Sequence, residues 1–245
     1  MVLGQGAELP IADPAFAPAS EAPPGVADLV RVVALDGPAG TGKSSVARGL
    51  AARLGWRFVD TGATYRAVTY AVLRAGVAPD DAAGVLAVAQ GATIVLSTDP
   101  AAPGVQLDGV EVSGLIRTSE VTRAVSAVSA HPAVRALLVD VQRRAAGTAG
   151  AVVEGRDIAT VVAPAAGLKV YLDARPEVRA ARRAAELSEG SVGEVARALS
   201  SRDAQDNQTS ALVVSEGALH LDTSDLTLDQ VVAALVALVE ERGLR

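Results

Sequence analysis

Gly37-Pro38-Ala39-Gly40-Thr41-Gly42-Lys43-Ser44, with Ser45 behind it, reads G-x-x-x-x-G-K-[ST] and follows the apolar run Val32-Val33-Ala34-Leu35. The pattern is a physical device for holding phosphate. Glycines let the backbone curl until several N–H groups point inward at an anion. A helix that starts there adds the positive end of its dipole. Lys43 is then in reach of β- and γ-phosphates, and the Ser44 hydroxyl is placed to ligate Mg²⁺. Val46, Leu50 and Leu54 follow at helical spacing, so a strand, a glycine loop and a helix stand in the required order. Of the 22 Lys and Arg residues only Lys43 and Lys169 are lysine, so a chain that otherwise uses arginine keeps a compact point charge in the loop.

Composition bounds the rest. A length of 245 residues suits one domain with insertions. Half the residues are apolar but only 2% are aromatic, so the core must be built from Ala, Val and Leu. The net charge of −6 argues against a binder of nucleic-acid polymers or membrane surfaces. Cysteine is absent, which excludes disulfides and thiolate metal sites. There is no run of apolar residues long enough for a membrane span and no signal-peptide pattern, so a soluble, cytoplasmic protein is expected.

Residues 1–29 are rich in Ala, Pro and Gly and read as a disordered extension. From Val30 onward, apolar runs alternate with helical patterns, which implies an α/β fold with a parallel sheet flanked by helices. Strands are expected at Arg31–Asp36, Arg57–Val59, Ala151–Glu154, Lys169–Asp173 and Ala218–Asp222, several of them buried on both faces. Helices are expected from Lys43, around Thr64–Ala75, over Pro132–Ala146, over Pro176–Glu186, from about Val192 to Gln205, and from Thr227 onward. Between them, Leu107-Asp108-Gly109-Val110 puts Asp-Gly between short alternating runs, the sign of a hairpin in a small antiparallel insertion.

Several polar segments follow strands, where an open α/β sheet forms its ligand crevice. Asp60-Thr61-Gly62-Ala63-Thr64-Tyr65-Arg66 is either a capped helix with a surface arginine or a second phosphate site. Glu154-Gly155-Arg156-Asp157, two acids and an arginine after a buried strand, points to function. Arg175, Arg179, Arg182 and Arg183 share one side of a helix, which a solvated basic face paired with Glu177 and Glu186 also explains. Arg202-Asp203 and Asp206 form a further polar cluster. His131 before Pro132 reads as a turn or cap residue, and His220 as structural. There is no Ser-His-Asp set and no metal-binding cluster to suggest hydrolase or metalloenzyme chemistry.

Taken in order, these segments, with Val112-Ser113-Gly114-Leu115-Ile116-Arg117-Thr118 and Lys169-Val170-Tyr171-Leu172-Asp173-Ala174, resemble the bacterial-type cytidylate kinases. The resemblance spans about Val32 to Leu235. It implies a P-loop three-layer fold over 30–245, with a monophosphate-binding insertion at about 62–147 and a helical lid at about 175–205. It implies ATP and Mg²⁺ at Gly37–Ser45, and CMP or dCMP across the cleft in a monomer. The acceptor site would comprise Asp60, Thr61, Tyr65, Arg66, Glu154, Arg156 and Arg202, with the cytosine on Ser126, Arg135 and Asp157 and the sugar on Asp206. Lys43, Arg156, Arg182 and Arg183 would neutralise charge during transfer. Two positions depart from the family pattern. Thr209 stands where an arginine is usual, and Ala159 where a glycine is usual. The rival readings are another P-loop small-molecule kinase and a nucleotide-regulated switch. A guanine-reading switch would need an Asn-Lys-x-Asp motif, and neither lysine lies in one.

Overall fold

The computed structural model describes residues 22–187, 193, 196, 197, 199, 200, 203 and 214–245. The chain runs through β1 (Val32–Asp36), α1 (Lys43–Leu54), β2 (Arg57–Asp60), α2 (Thr61–Arg74) and α3 (Ala82–Gly91). A small excursion follows, comprising β3 (Ile94–Leu96), β4 (Val105–Leu107) and β5 (Val110–Glu111). The chain returns through α4 (Ser119–Ser129), α5 (Pro132–Ala146), β6 (Ala151–Glu154) and β7 (Leu168–Asp173). It then forms α6 (Pro176–Leu187), β8 (Leu219–Asp222) and α7 (Leu228–Glu241).

Five strands form one sheet in the order β2-β6-β1-β7-β8, and every neighbouring pair is parallel. β1 is central and wholly buried, and its side chains alternate between two cores as the pleat demands. Val32 and Ala34 join the core under α2, α3 and α5. Val33 and Leu35 join the one under α1 and α7. The result is three layers, helix on sheet on helix. Both cores are dominated by aliphatic side chains; Trp56 and Phe58 sit in the core under α1 and α7, and Tyr65 and Tyr70 pack against the other. Each fully buried valine or leucine contributes about 1.5–3 kcal/mol, so many aliphatic side chains replace a few aromatic ones.

All five parallel strands end in an acid: Asp36, Asp60, Glu154, Asp173 and Asp222. The register sets Glu154 beside both Leu35 and Asp60, so these ends lie along one edge of the sheet. That edge carries the site.

β3, β4 and β5 form the expected antiparallel sheet. Asp108 (φ 52°) and Gly109 (φ 79°) are both left-handed, which is the turn that Asp-Gly favours between antiparallel strands.

The structure departs from these expectations in places. The disorder expected over 1–29 does not hold for its last residues, because Val26–Arg31 forms a 3₁₀ turn that buries Leu29 completely. Strand β8 is not buried on both faces. It is the sheet edge and is mostly exposed, with His220 stacked on Tyr171 at 5.5 Å between ring centroids. Helices α3 and α4 were not expected. The first is nearly all small and apolar residues and shows no polar face; the second is rich in Ser, Thr and Val, which favour other conformations alone. Side-chain caps from Asp81 and Thr118 start them. The helix expected from Val192 to Gln205 falls largely outside the described residues.

Candidate active site

The phosphate loop joins the central strand to α1. Gly37 adopts φ 145°, and a Cβ there would stand 2.0 Å from the Leu172 carbonyl oxygen, so only glycine fits between β1 and β7. Gly42, also left-handed, precedes Lys43, the first residue of α1. Lys43 is only 9% exposed, and its Nζ donates to the Pro38 carbonyl at 2.7 Å. Thr41 donates to the same carbonyl at 3.1 Å. Ser44 Oγ donates to Glu154 Oε1 at 2.5 Å, which joins the loop to the end of β6.

Glu154 is buried at 6% exposure, and burial pushes its carboxyl up to about 7. The charge of Asp60 adds to the rise, and Lys43, Ser44 and Arg156 oppose it. Thr61 fixes the same strand end by donating to the Glu154 carbonyl at 2.8 Å. Asp60 caps α2 through Ala63 N–H at 3.0 Å and also pairs with Arg117 at 3.3 Å.

Across the cleft, α2 presents Tyr65 and Arg66. Arg66 is braced by the insertion, donating to Ile116 O at 3.1 Å and Thr122 Oγ1 at 3.0 Å. The Arg135 guanidinium on α5 lies 5.6 Å from the Tyr65 ring and pairs closely with Asp157. It also donates to the Ser129 carbonyl at 3.3 Å. Burial raises the Asp157 carboxyl, and Arg135 pulls it back toward its ionised form. These groups lie in one cleft with Ala39, Gly40, Gly42 and Ser45 of the loop, Ser126 of α4, Arg156 after β6, and Arg183 of α6.

Other expected residues lie elsewhere. Gly37, Pro38 and Thr41 form the loop's frame and do not line the cleft. Arg182 is turned to the loop's back, donating to Thr41 O at 3.3 Å, Thr223 Oγ1 at 2.9 Å and Thr223 O at 2.7 Å. Arg202, Asp206 and Thr209 lie outside the described residues. Ala159, where a glycine was expected, is buried at 2% exposure in the turn after Asp157. His131 sits at the cap of α5, with Nε2 2.8 Å from Pro79 O, as a turn residue should.

Sequence reading missed two participants. Arg117 lines the cleft from a short 3₁₀ turn; it lies inside a quoted segment, but nothing in its spacing marks it. Asp203 pairs with Arg179 and, at 3.5 Å, with Arg156, and it accepts Ala39 N–H at 3.3 Å. One carboxylate thus meets a loop amide and two arginines, which is the set of donors that would receive a phosphate. In the sequence Asp203 is marked only as a member of a polar cluster with Arg202 and Asp206.

A phosphate loop between a central strand and its helix, facing a second cationic and carboxylate-bearing half-site, defines a P-loop nucleotide-binding protein. The cytidylate kinase family matches residues 33–241. A cytidylate kinase of Streptomyces avermitilis is 49% identical over 215 residues, covering 86% of this chain and 93% of that one. One from Streptomyces coelicolor is 50% identical over 86% of this chain and 93% of its own length, and one from Mycobacterium leprae is 50% identical over 86% and 96%. The chain belongs to the cytidylate kinase family. Among the described residues, no single helix is long and apolar enough to cross a membrane.

Proposed function

We propose that this chain transfers the γ-phosphoryl group of ATP reversibly to CMP or dCMP, giving ADP and the cytidine diphosphate. The observation that carries the reading is the single cleft holding both the phosphate loop and the Arg135–Asp157 pair. Cytosine offers an amino donor beside ring acceptors, which a carboxylate and an arginine complement. Uracil places an acceptor where cytosine has its amino group and would set that oxygen against the Asp157 carboxylate, a mismatch that binding sites reject strongly. Ser126 joins these two at the base, and the family resemblance gives the sugar contact to Asp206 and a further acceptor contact to Arg202.

The phosphates of ATP lie on Gly37–Ser45, with Lys43 at the β- and γ-groups. Asp60, Thr61, Tyr65, Arg66, Glu154 and Arg156 form the acceptor side, with Arg66 and Arg156 on its phosphate. The acceptor needs no general base, because a phosphate monoester with a second pKa near ~6 is already largely ionised at neutral pH. Catalysis therefore rests on in-line positioning and charge neutralisation by Lys43, Arg156 and Arg183, with Arg182 bracing the loop from behind. A lid at about 175–205 closes over the phosphates and excludes water. A phosphate entering the loop competes with the Asp203 carboxylate, so nucleotide binding rearranges the Arg156 and Arg179 pairs.

Mg²⁺ fits the oxygen donors at the loop, the Ser44 hydroxyl and the Glu154 carboxylate, which suit a hard cation. Among the described residues there is no cluster of three or more acidic, His or Cys side chains to hold a metal, so phosphate oxygens and water would complete the shell. When bound, it would neutralise charge on the β- and γ-phosphates. We assign the protein to the cytoplasm as a monomer acting on free nucleotides.

Release of ADP from ATP is measured with and without CMP. A kinase requires the acceptor, so release without CMP should fall far below the full rate. Equal release in both conditions would favour a nucleotide-regulated switch.

A further inference from the structure

Asp36 ends β1, directly before the phosphate loop, yet its side chain is committed to the opposite half of the cleft. Oδ1 accepts the Ile158 N–H at 2.8 Å, and Oδ2 accepts the Ala159 N–H at 2.9 Å. The carboxyl is 5% exposed, and burial raises its pKa against the pull of those two amides. Keeping a buried acid is costly unless both oxygens are used. Aspartate supplies two acceptors here. Asparagine would supply one acceptor and point its amide at the other N–H.

The segment so held is short. Gly155 N–H donates to the Leu35 carbonyl at 3.0 Å, tying its near end to β1. The Asp36 carboxylate ties its far end, and Arg156 and Asp157 stand between. There is little slack at the near end, because a Cβ on Gly155 would lie 2.4 Å from Thr61 Oγ1.

We propose that Asp36 is a positioning residue that sets Arg156 and Asp157 at a fixed place relative to the phosphate loop, so one residue of β1 aligns both half-sites. The inference rests on the reading of Arg156 and Asp157 as acceptor-binding residues. Asp36 does not line the cleft. It acts through the loop it holds.

The test compares D36N with the unaltered chain in steady-state kinetics. Loss of one charge-assisted hydrogen bond should raise KM for CMP about tenfold and lower the preference for CMP over UMP. KM for ATP should stay within about twofold, because the loop amides are not bonded to Asp36. A KM for CMP within twofold of the unaltered chain overturns the proposal, as does a parallel rise in both KM values. Amide hydrogen exchange of the unaltered chain supplies a check that does not depend on the variant folding. The Ile158 and Ala159 amides should be among its slow exchangers, and rapid exchange there also overturns the proposal. If the unaltered chain prefers another acceptor, the function proposed above fails. A rise confined to that acceptor's KM in D36N would still support the role of Asp36.

Discussion

Lys43 and Glu154 flank the phosphate loop, and both are buried charges whose environment has been adjusted in advance. The Lys43 ammonium is already desolvated and held by a backbone carbonyl at 2.7 Å, so an arriving phosphate exchanges one oxygen partner for a stronger one. Replacing Lys43 with Ala should lower kcat about a hundredfold or more, the scale of losing one aligned electrostatic group. The circular dichroism spectrum should not change. Turnover near that of the unaltered chain would remove Lys43 from its assigned role. Glu154 behaves oppositely. Its folded pKa, about 7, lies above the ordinary carboxyl value of 4.5. The folded state therefore holds the proton more tightly than the unfolded chain does. The associated stability is fully present below pH 4.5 and fades as pH rises through about 7. Glu154→Gln removes that dependence. The melting temperature of the variant, relative to the unaltered nucleotide-free protein, should rise between pH 5 and pH 8. A constant difference would contradict the burial argument.

The phosphate loop shows at the scale of an element why some of this molecule could be read from sequence. Its function depends on backbone curvature, and glycines at fixed spacing record curvature directly. Gly37→Ala should cost about 1–3 kcal/mol from strain at positive φ, before its clash with Leu172 O is added. Chemical denaturation measures this, and an unchanged midpoint would contradict it. The Asp-Gly turn of the small sheet was legible for the same reason. Helices α3 and α4 were not, because α3 is apolar on nearly every face and shows no stripe, while the Ser, Thr and Val of α4 carry weak helix propensity. Ser126 lies on α4, so only the family resemblance, and no local pattern, brought it into the site. The base-facing wall gives a sharper test. Asp157→Asn supplies an amide donor that suits uracil, so the ratio of kcat/KM for CMP over UMP should fall at least about tenfold. An unchanged ratio would move base recognition away from Asp157.

Across the whole molecule, the parallel sheet collects groups that are far apart in sequence. Ser44 and Glu154 are separated by 110 positions, yet the register of β1 with β6 brings them into hydrogen-bond contact. A parallel sheet with crossover helices was foreseeable from alternating patterns, so the cleft's existence was legible; the strand order was not. Nor were the detailed pairings. Asp203 with Arg156 and Arg179, Asp36 with the turn after Asp157, and Arg182 behind the loop depend on three-dimensional closeness that no spacing encodes. The central claim concerns the whole cleft: a donor loop and a cytosine-reading acceptor site act together. Initial rates of diphosphate formation from CMP, dCMP, UMP and AMP under Mg-ATP test it most directly. The account predicts that CMP or dCMP exceeds UMP and AMP in kcat/KM by at least about a hundredfold, the scale set by an unpaired buried polar group. Equal or faster phosphorylation of UMP or AMP would contradict it.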